Sequence, residues 1–257
     1  MAFPRLHARF HPEIAVKFLL FPYLLAQGAW LRKAALVLPE PEGARAGIAG
    51  SGPPLRLLLL GDSSAAGVGV SQQSEALSGQ LLGHLGPHFT VDWVLDAKTG
   101  RTTQQMFKRL VKMPTAQYDI AVTALGVNDI TRRASRENWL EDTELMWDLL
   151  QSKFGVRQIY VSGVPDIGQF PLLPSVLRWI LGRQATRYDA GLREMAARRE
   201  GCVHVPADLS LHGLMAEDGF HPGPEVYAAW AERLAAHIQP EYAALLAASE
   251  KTERNQT

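Results

Sequence analysis

Gly61-Asp62-Ser63-Ser64 places two hydroxyls at a turn that directly follows an apolar run and precedes Ala65–Gly69. A serine at a strand-to-helix turn exposes its hydroxyl beside the unpaired N–H groups of a helix start, which suits nucleophilic attack. Asp218-Gly219-Phe220-His221-Pro222-Gly223 offers the matching proton acceptor. Three residues of separation in a turn let the carboxylate reach back to the imidazole and fix its tautomer, leaving the other ring nitrogen free to take a hydroxyl proton. In Leu125-Gly126-Val127-Asn128-Asp129, the Asn128 amide can be aimed at a developing oxyanion, and Gly126 permits close backbone approach. Thr99-Gly100-Arg101-Thr102-Thr103 adds Gly100, whose backbone N–H can serve the same oxyanion.

Each segment also has an ordinary explanation. Ser63 or Ser64 can simply cap a helix or help a Gly-rich turn hold an anion. Asp218 can be a turn residue, His221 a satisfied polar group near a helix start, and Asn128 a side chain that tolerates left-handed geometry. A glycine between strand and helix, as at Gly100, is commonplace.

The elements that must position these residues alternate along the chain. Leu55–Gly61, Val91–Ala97, Ile120–Leu125, Gln158–Gly163 and Cys202–Val205 are five expected strands. Leu57-Leu58-Leu59-Leu60 has no polar alternation, as expected of a central strand buried on both faces. Helices are expected over about 71–85, 102–112, 136–153 and 175–199, with a last one from 224. Strand–helix alternation implies a parallel sheet with helices on both faces, and ligands bind beyond the carboxyl ends of such strands. The four segments therefore arrive at one rim.

Their order is more specific than any one of them. Glycine-serine follows the first strand, glycine the second, G-x-N-D the third, and D-x-x-H precedes the last helix. This ordered set resembles the SGNH hydrolase superfamily, also called GDSL esterases and lipases, over residues 55–240. The resemblance implies Ser63 as nucleophile, His221 as general base and acid, and Asp218 as the orienting carboxylate. It implies an oxyanion hole formed by the backbone N–H groups of Ser63 and Gly100 with the Asn128 side chain. It also implies a flavodoxin-like three-layer α/β/α sandwich with a five-stranded parallel sheet, and neither metal nor organic cofactor. The leucine usual after the nucleophile in that family is Ser64 here, so two adjacent hydroxyls compete for the role.

Composition excludes several other functions. Lys+Arg and Asp+Glu both number 26 and the pI is near 7.1, so no basic surface is expected for a nucleic-acid partner. The single cysteine, Cys202, precludes an intramolecular disulfide and a thiolate metal cluster; its alternating strand context reads as a small buried apolar residue. His84, His88, His204, His212 and His237 lack metal-binding spacing. Gln169–Pro174 and the apolar residues through Leu181 follow the fourth strand, and are expected either to wall an acyl or alcohol pocket or to pack on the next helix.

The division expected is an N-terminal apolar helix and linker over 1–54, a hydrolase domain over 55–248 and a polar tail over 249–257. The apolar stretch Ile14–Leu38 is interrupted by Lys17, Pro22, Gln27, Arg32 and Lys33, which makes it a poor spanning helix. It reads as a helix packed on the domain or lying in a membrane interface; Arg5 and Arg9 before Phe18–Ala26 also give it some character of a signal peptide. A cytoplasmic location is the working expectation, with the packed helix ahead of peripheral membrane contact, and secretion as the alternative. The expected partner is a small acyl ester. Thioesters and lysophospholipids would use the same triad, and a non-catalytic flavodoxin-like anion-binding module is the competing class.

Overall fold

The computed structural model describes residues 20–34 and 36–254. After helix α1 (Phe21–Ala34) come strands β1 (Ala46–Ala49) and β2 (Pro54–Gly61), short helix α2 (Ser63–Ala66), α3 (Leu77–Leu85) and β3 (Thr90–Ala97). The chain continues through α4 (Thr103–Lys112), β4 (Ile120–Ala124), short helix α5 (Val127–Thr131), α6 (Arg136–Phe154) and β5 (Gln158–Ser162). A 3-10 turn at Ile167–Gln169, α7 (Ser175–Ala197), β6 (Cys202–Val205) and α8 (Pro224–Arg254) complete it.

The leucine run explains the layering. Side chains alternate across a strand, so Leu57 and Leu59 enter one core while Leu58 and Leu60 enter the other. The first core is closed by α3 and α8, through Leu77, Leu81, Leu85, Tyr227, Leu234 and Ile238. The second is closed by α4, α6 and α7, through Met106, Leu110, Trp139, Leu150, Tyr188 and Leu192. An α/β/α sandwich results, as expected.

The sheet has six strands in the order β1-β3-β2-β4-β5-β6, rather than the expected five. The extra strand, β1, pairs antiparallel with β3 from Ala46↔Val94 to Ala49↔Val91, inside the segment expected to be linker. Its four residues carry little hydrophobic signal, because it is a short edge strand held by its backbone ladder. The remaining neighbours are parallel. Leaving β2, the chain builds β3 on one side and then β4 on the other, which opens a crevice at the carboxyl end of β2.

Helix boundaries agree where local signals are strong. Thr102 and Gln105 form a reciprocal capping box on α4, and Gly155 ends α6 in the left-handed conformation. The helix expected from 71 starts only at Leu77. Ahead of it, the buried Gln73 amide donates to the Ala66 carbonyl (2.8 Å) and accepts from Ser78 Oγ (2.8 Å), stabilising a turn instead. Helix α8 continues to Arg254, into the segment expected as a polar tail. Of the expected N-terminal helix, Phe21–Ala34 is helical, and the part before residue 20 lies outside the described residues. Pro22 sits in the first turn described, where a missing N–H costs least.

Candidate active site

The segment bearing Ser63 is a turn that only glycine allows. A Cβ on Gly61 would lie 2.3 Å from the Ala65 Cβ and 2.7 Å from the Ala124 carbonyl oxygen. With that space open, the chain turns directly from β2 into α2, Asp62 caps the helix through the Ser64 N–H (3.0 Å), and Ser63 takes the first helical position.

The loop bearing His221 is brought against this turn by a second close approach. Gly69, at φ +114°, admits the Pro222 carbonyl oxygen to 2.2 Å from where a Cβ would stand. Tyr227 of α8 donates its hydroxyl to the Val68 carbonyl (2.7 Å), fastening helix and turn together. Within the loop, Asp218 Oδ1 accepts the N–H groups of Phe220 and His221 at 2.9 Å each, while Oδ2 lies 2.5 Å from His221 Nδ1. His221 Nε2 lies 2.8 Å from Ser63 Oγ, joining residues 158 apart in sequence. Ser63, His221 and Asp218 thus form one hydrogen-bonded chain.

The second hydroxyl is committed elsewhere. Ser64 Oγ donates to Asp62 Oδ1 (2.8 Å), and it is Ser63 that meets the imidazole. Asp62 also accepts from Asn128 Nδ2 at its other oxygen, Oδ2 (3.0 Å). This contact fixes the amide orientation, since a flipped Asn128 would turn its oxygen toward a carboxylate. One Nδ2 hydrogen remains for another acceptor. Sequence reasoning assigned Asp62 no role, although it lies inside the first motif.

Gly100 sits in the turn after β3, at φ +77°. The neighbouring Lys98 N–H donates to the Gly61 carbonyl (3.3 Å), which holds that turn beside the Ser63 turn. Among the described residues, nothing in the chain accepts the N–H of Ser63 or of Gly100. Gly100 does not line the cavity described below, whereas Ser63, Asn128 and His221 do.

Burial shapes the ionisation of the site. Desolvation disfavours the Asp218 carboxylate, but hydrogen bonds from the His221 ring and from the His221 and Phe220 N–H groups hold its pKa below the ordinary value. Asp62 is raised by its burial, with the Ser64 and Asn128 hydrogen bonds opposing. Asp129, next to Asn128, is pushed up to about 6 by burial, against hydrogen bonds from the Thr103 N–H and hydroxyl. Thr103 Oγ1 also accepts from Trp139 Nε1 (2.9 Å), so this buried acid is tied to α4 and, through Thr103, to α6. Burial pushes the Cys202 thiol up to about 11, which leaves it a poor nucleophile.

Beside Ser63 opens a largely apolar cleft with ≈ 720 Å³ of empty space including its mouth. Ala124, Leu125 and Gly163 form its floor at the strand ends, and Phe170, Leu211, Met215 and Trp230 are among its walls. Phe220 packs edge-on against both Phe170 (5.1 Å) and His221 (5.3 Å), so the same ring lines the cleft and braces the imidazole. From the apolar segment after β5, Phe170 reaches this cleft. Leu172 and Leu173 do not: Leu173 is buried in the core, and Leu172 donates its N–H to the Gly219 carbonyl (3.0 Å), supporting the histidine loop.

Solved structures with the same fold include a carbohydrate esterase family 2 enzyme with a carbohydrate-binding domain from Corynascus thermopiles (Myceliophthora fergusii). It is 14% identical, with a TM-score of 0.59 over 74% of this chain and 67% of that one. A family 3 carbohydrate esterase of Clostridium thermocellum is 14% identical, with a TM-score of 0.59 over 75% and 98%. The psychrotrophic esterase EstA from Pseudoalteromonas sp. is 17% identical, with a TM-score of 0.52 over 73% and 98%. No curated protein matches the chain. The model of the GDSL-like Lipase/Acylhydrolase family matches residues 59–229, a span holding the serine turn, Asn128 and the Asp218–His221 loop, and the chain belongs to that family.

Proposed function

We propose that this acylhydrolase-family enzyme cleaves short- to medium-chain acyl esters through an acyl-serine intermediate on Ser63. The observation that carries the reading is the unbroken contact from Ser63 Oγ to His221 Nε2 (2.8 Å) and from His221 Nδ1 to Asp218 Oδ2 (2.5 Å). An anion-binding turn has no use for an oriented imidazole on its serine. That favours catalysis over a binding module.

In the proposed reaction, His221 Nε2 takes the Ser63 proton as Oγ bonds to the acyl carbon. The carbonyl π electrons move onto oxygen, where the N–H groups of Ser63 and Gly100 and the free Nδ2 hydrogen of Asn128 receive them. Collapse breaks the bond to the alcohol oxygen, which leaves with the proton from His221. Water then attacks the acyl-serine, giving its proton to His221; the second collapse frees the acid and returns that proton to Ser63. Asp218 keeps Nδ1 protonated and stabilises the imidazolium in both halves. The apolar cleft beside Ser63 supports an acyl chain as its occupant, since it presents few polar partners to a sugar or a charged group.

Labelling with a fluorophosphonate, followed by peptide mapping, tests the reading. The adduct is expected on Ser63, to be absent from Ser63→Ala and to persist in Ser64→Ala. Labelling of Ser64, or none in a folded protein, would overturn it. A panel of esters and thioesters graded by acyl length then defines the substrate.

A further inference from the structure

We propose that helix α1 and the segment after it dock the enzyme onto the surface of a membrane containing anionic phospholipid, with the helix lying in the interface plane. The helix has two unlike sides. Leu24, Gln27, Gly28 and Leu31 are half-buried, at the i, i+3, i+4, i+7 spacing of one helical face, and Leu31 packs against the core. The rest should be polar if water were its only neighbour. Instead Phe21 is 51% exposed, Tyr23 53% and Leu25 44%, and their neighbours Pro22 and Ala26 are exposed too. Leu36 and Val37 continue the pattern beyond the helix, Val37 being 87% exposed. Of the ten large apolar side chains exposed among the described residues, six fall between Leu20 and Val37. A concentration of this kind marks an interaction surface.

Charge indicates the occupant. Residues 1–38 contain Arg5, Arg9, Lys17, Arg32 and Lys33 against the single acid Glu13, whereas the whole chain balances 26 basic with 26 acidic residues. Apolar side chains accompanied by basic residues and almost no acid match the boundary of an anionic bilayer, where headgroup charge attracts Lys and Arg while rings and leucines enter the acyl region. The 14 residues of α1 span about 21 Å, short of the hydrocarbon thickness, and no helix among the described residues is long and apolar enough to cross a membrane. An in-plane placement satisfies length, exposure and charge together. It would bring an enzyme with an apolar cleft to the surface where acyl esters partition.

The full chain is mixed with phosphatidylcholine vesicles, with and without phosphatidylglycerol, and binding is read by co-sedimentation. Turnover of a water-soluble ester serves as a separate check on folding and catalysis. Binding is expected only with phosphatidylglycerol present, and to weaken as salt rises. Phe21→Ser/Leu25→Ser is expected to weaken it roughly a hundredfold, from two large apolar groups withdrawn from the interface, with soluble-ester turnover unchanged. Arg32→Gln/Lys33→Gln should cost roughly thirtyfold. Three results would overturn the proposal: no vesicle binding by an active enzyme, equal binding by the apolar double variant, or a dimer that this variant dissociates without any lipid effect. Loss of soluble-ester turnover in the wild type would instead count against the catalytic reading.

Discussion

Asp218→Asn tests the proton relay because the structure dictates how the new amide must sit. Asp218 Oδ1 accepts two backbone N–H groups at 2.9 Å, so the amide oxygen of the variant is held at that position. Its NH₂ then faces His221 Nδ1 from the Oδ2 position, where the wild-type contact is 2.5 Å. A donor there requires Nδ1 to accept. The ring proton moves to Nε2, which donates to Ser63 Oγ and can no longer take its proton. Restoring the reactive tautomer sets two N–H groups face to face and leaves both unpaired, at roughly 1–3 kcal/mol each. That alone slows the reaction by about 30-fold to 10⁴-fold. Losing the carboxylate charge that stabilises the imidazolium adds to it, so the expected drop in kcat is about 10⁴-fold, with KM little changed. The assay is steady-state hydrolysis of a soluble chromogenic ester, with fluorophosphonate labelling slowed in parallel and a thermal melt reporting folding. A folded Asp218→Asn enzyme within tenfold of wild-type kcat would refute the assignment of Asp218 as the tautomer-fixing partner.

Asn128→Ala is expected to lower kcat by about 10²–10³, the usual effect of losing one oxyanion donor, and unchanged turnover would remove Asn128 from the oxyanion hole. Asp129 sets a pH dependence of stability. The folded protein holds its proton to about pH 6, whereas the unfolded chain releases it near the ordinary aspartate value of 3.8, so this group's contribution falls as pH rises through that window. Between about pH 4 and pH 7, the unfolding free energy of Asp129→Asn should therefore gain about 2 kcal/mol relative to wild type, and parallel denaturation curves at both pH values would contradict it. Met215 lines the cleft, so Met215→Ala should raise kcat/KM for longer acyl chains, by about fourfold for each additional CH₂ accommodated. An acyl-length profile matching the parent would move the chain-binding site elsewhere.

Much of the framework was legible in short stretches of sequence. Leu57–Leu60 announced a strand covered on both faces, and the helices expected over 102–112 and 136–153 are found at Thr103–Lys112 and Arg136–Phe154. The edge strand Ala46–Ala49 was not legible, because four mostly exposed residues with a single large apolar side chain, Ile48, carry no periodicity and owe their conformation to the partner strand β3. The turn before Leu77 escaped for a related reason: Gln73 stabilises it through buried contacts with Ala66 and Ser78, and polar side chains on a helical pattern do not advertise such contacts. In the apolar segment after β5, hydrophobicity alone could not separate Phe170, which reaches the cleft, from Leu173, which enters the core.

For the site, the sequence by itself determined the residue types and those arrangements that close within a few residues. The Asp218–His221 pair is of this kind, since a tight turn returns a carboxylate to a ring three positions on. Tertiary structure decided the rest. Only packing of α8 and of the Gly69 turn carries His221 to Ser63, and only tertiary structure shows that Ser63 meets the imidazole while the adjacent Ser64 hydroxyl is bonded to Asp62. The physical reason is range: backbone preference and turn chemistry act over a few residues, while the approach of groups 158 positions apart is set by the strand order and by the cores that hold the helices on the sheet.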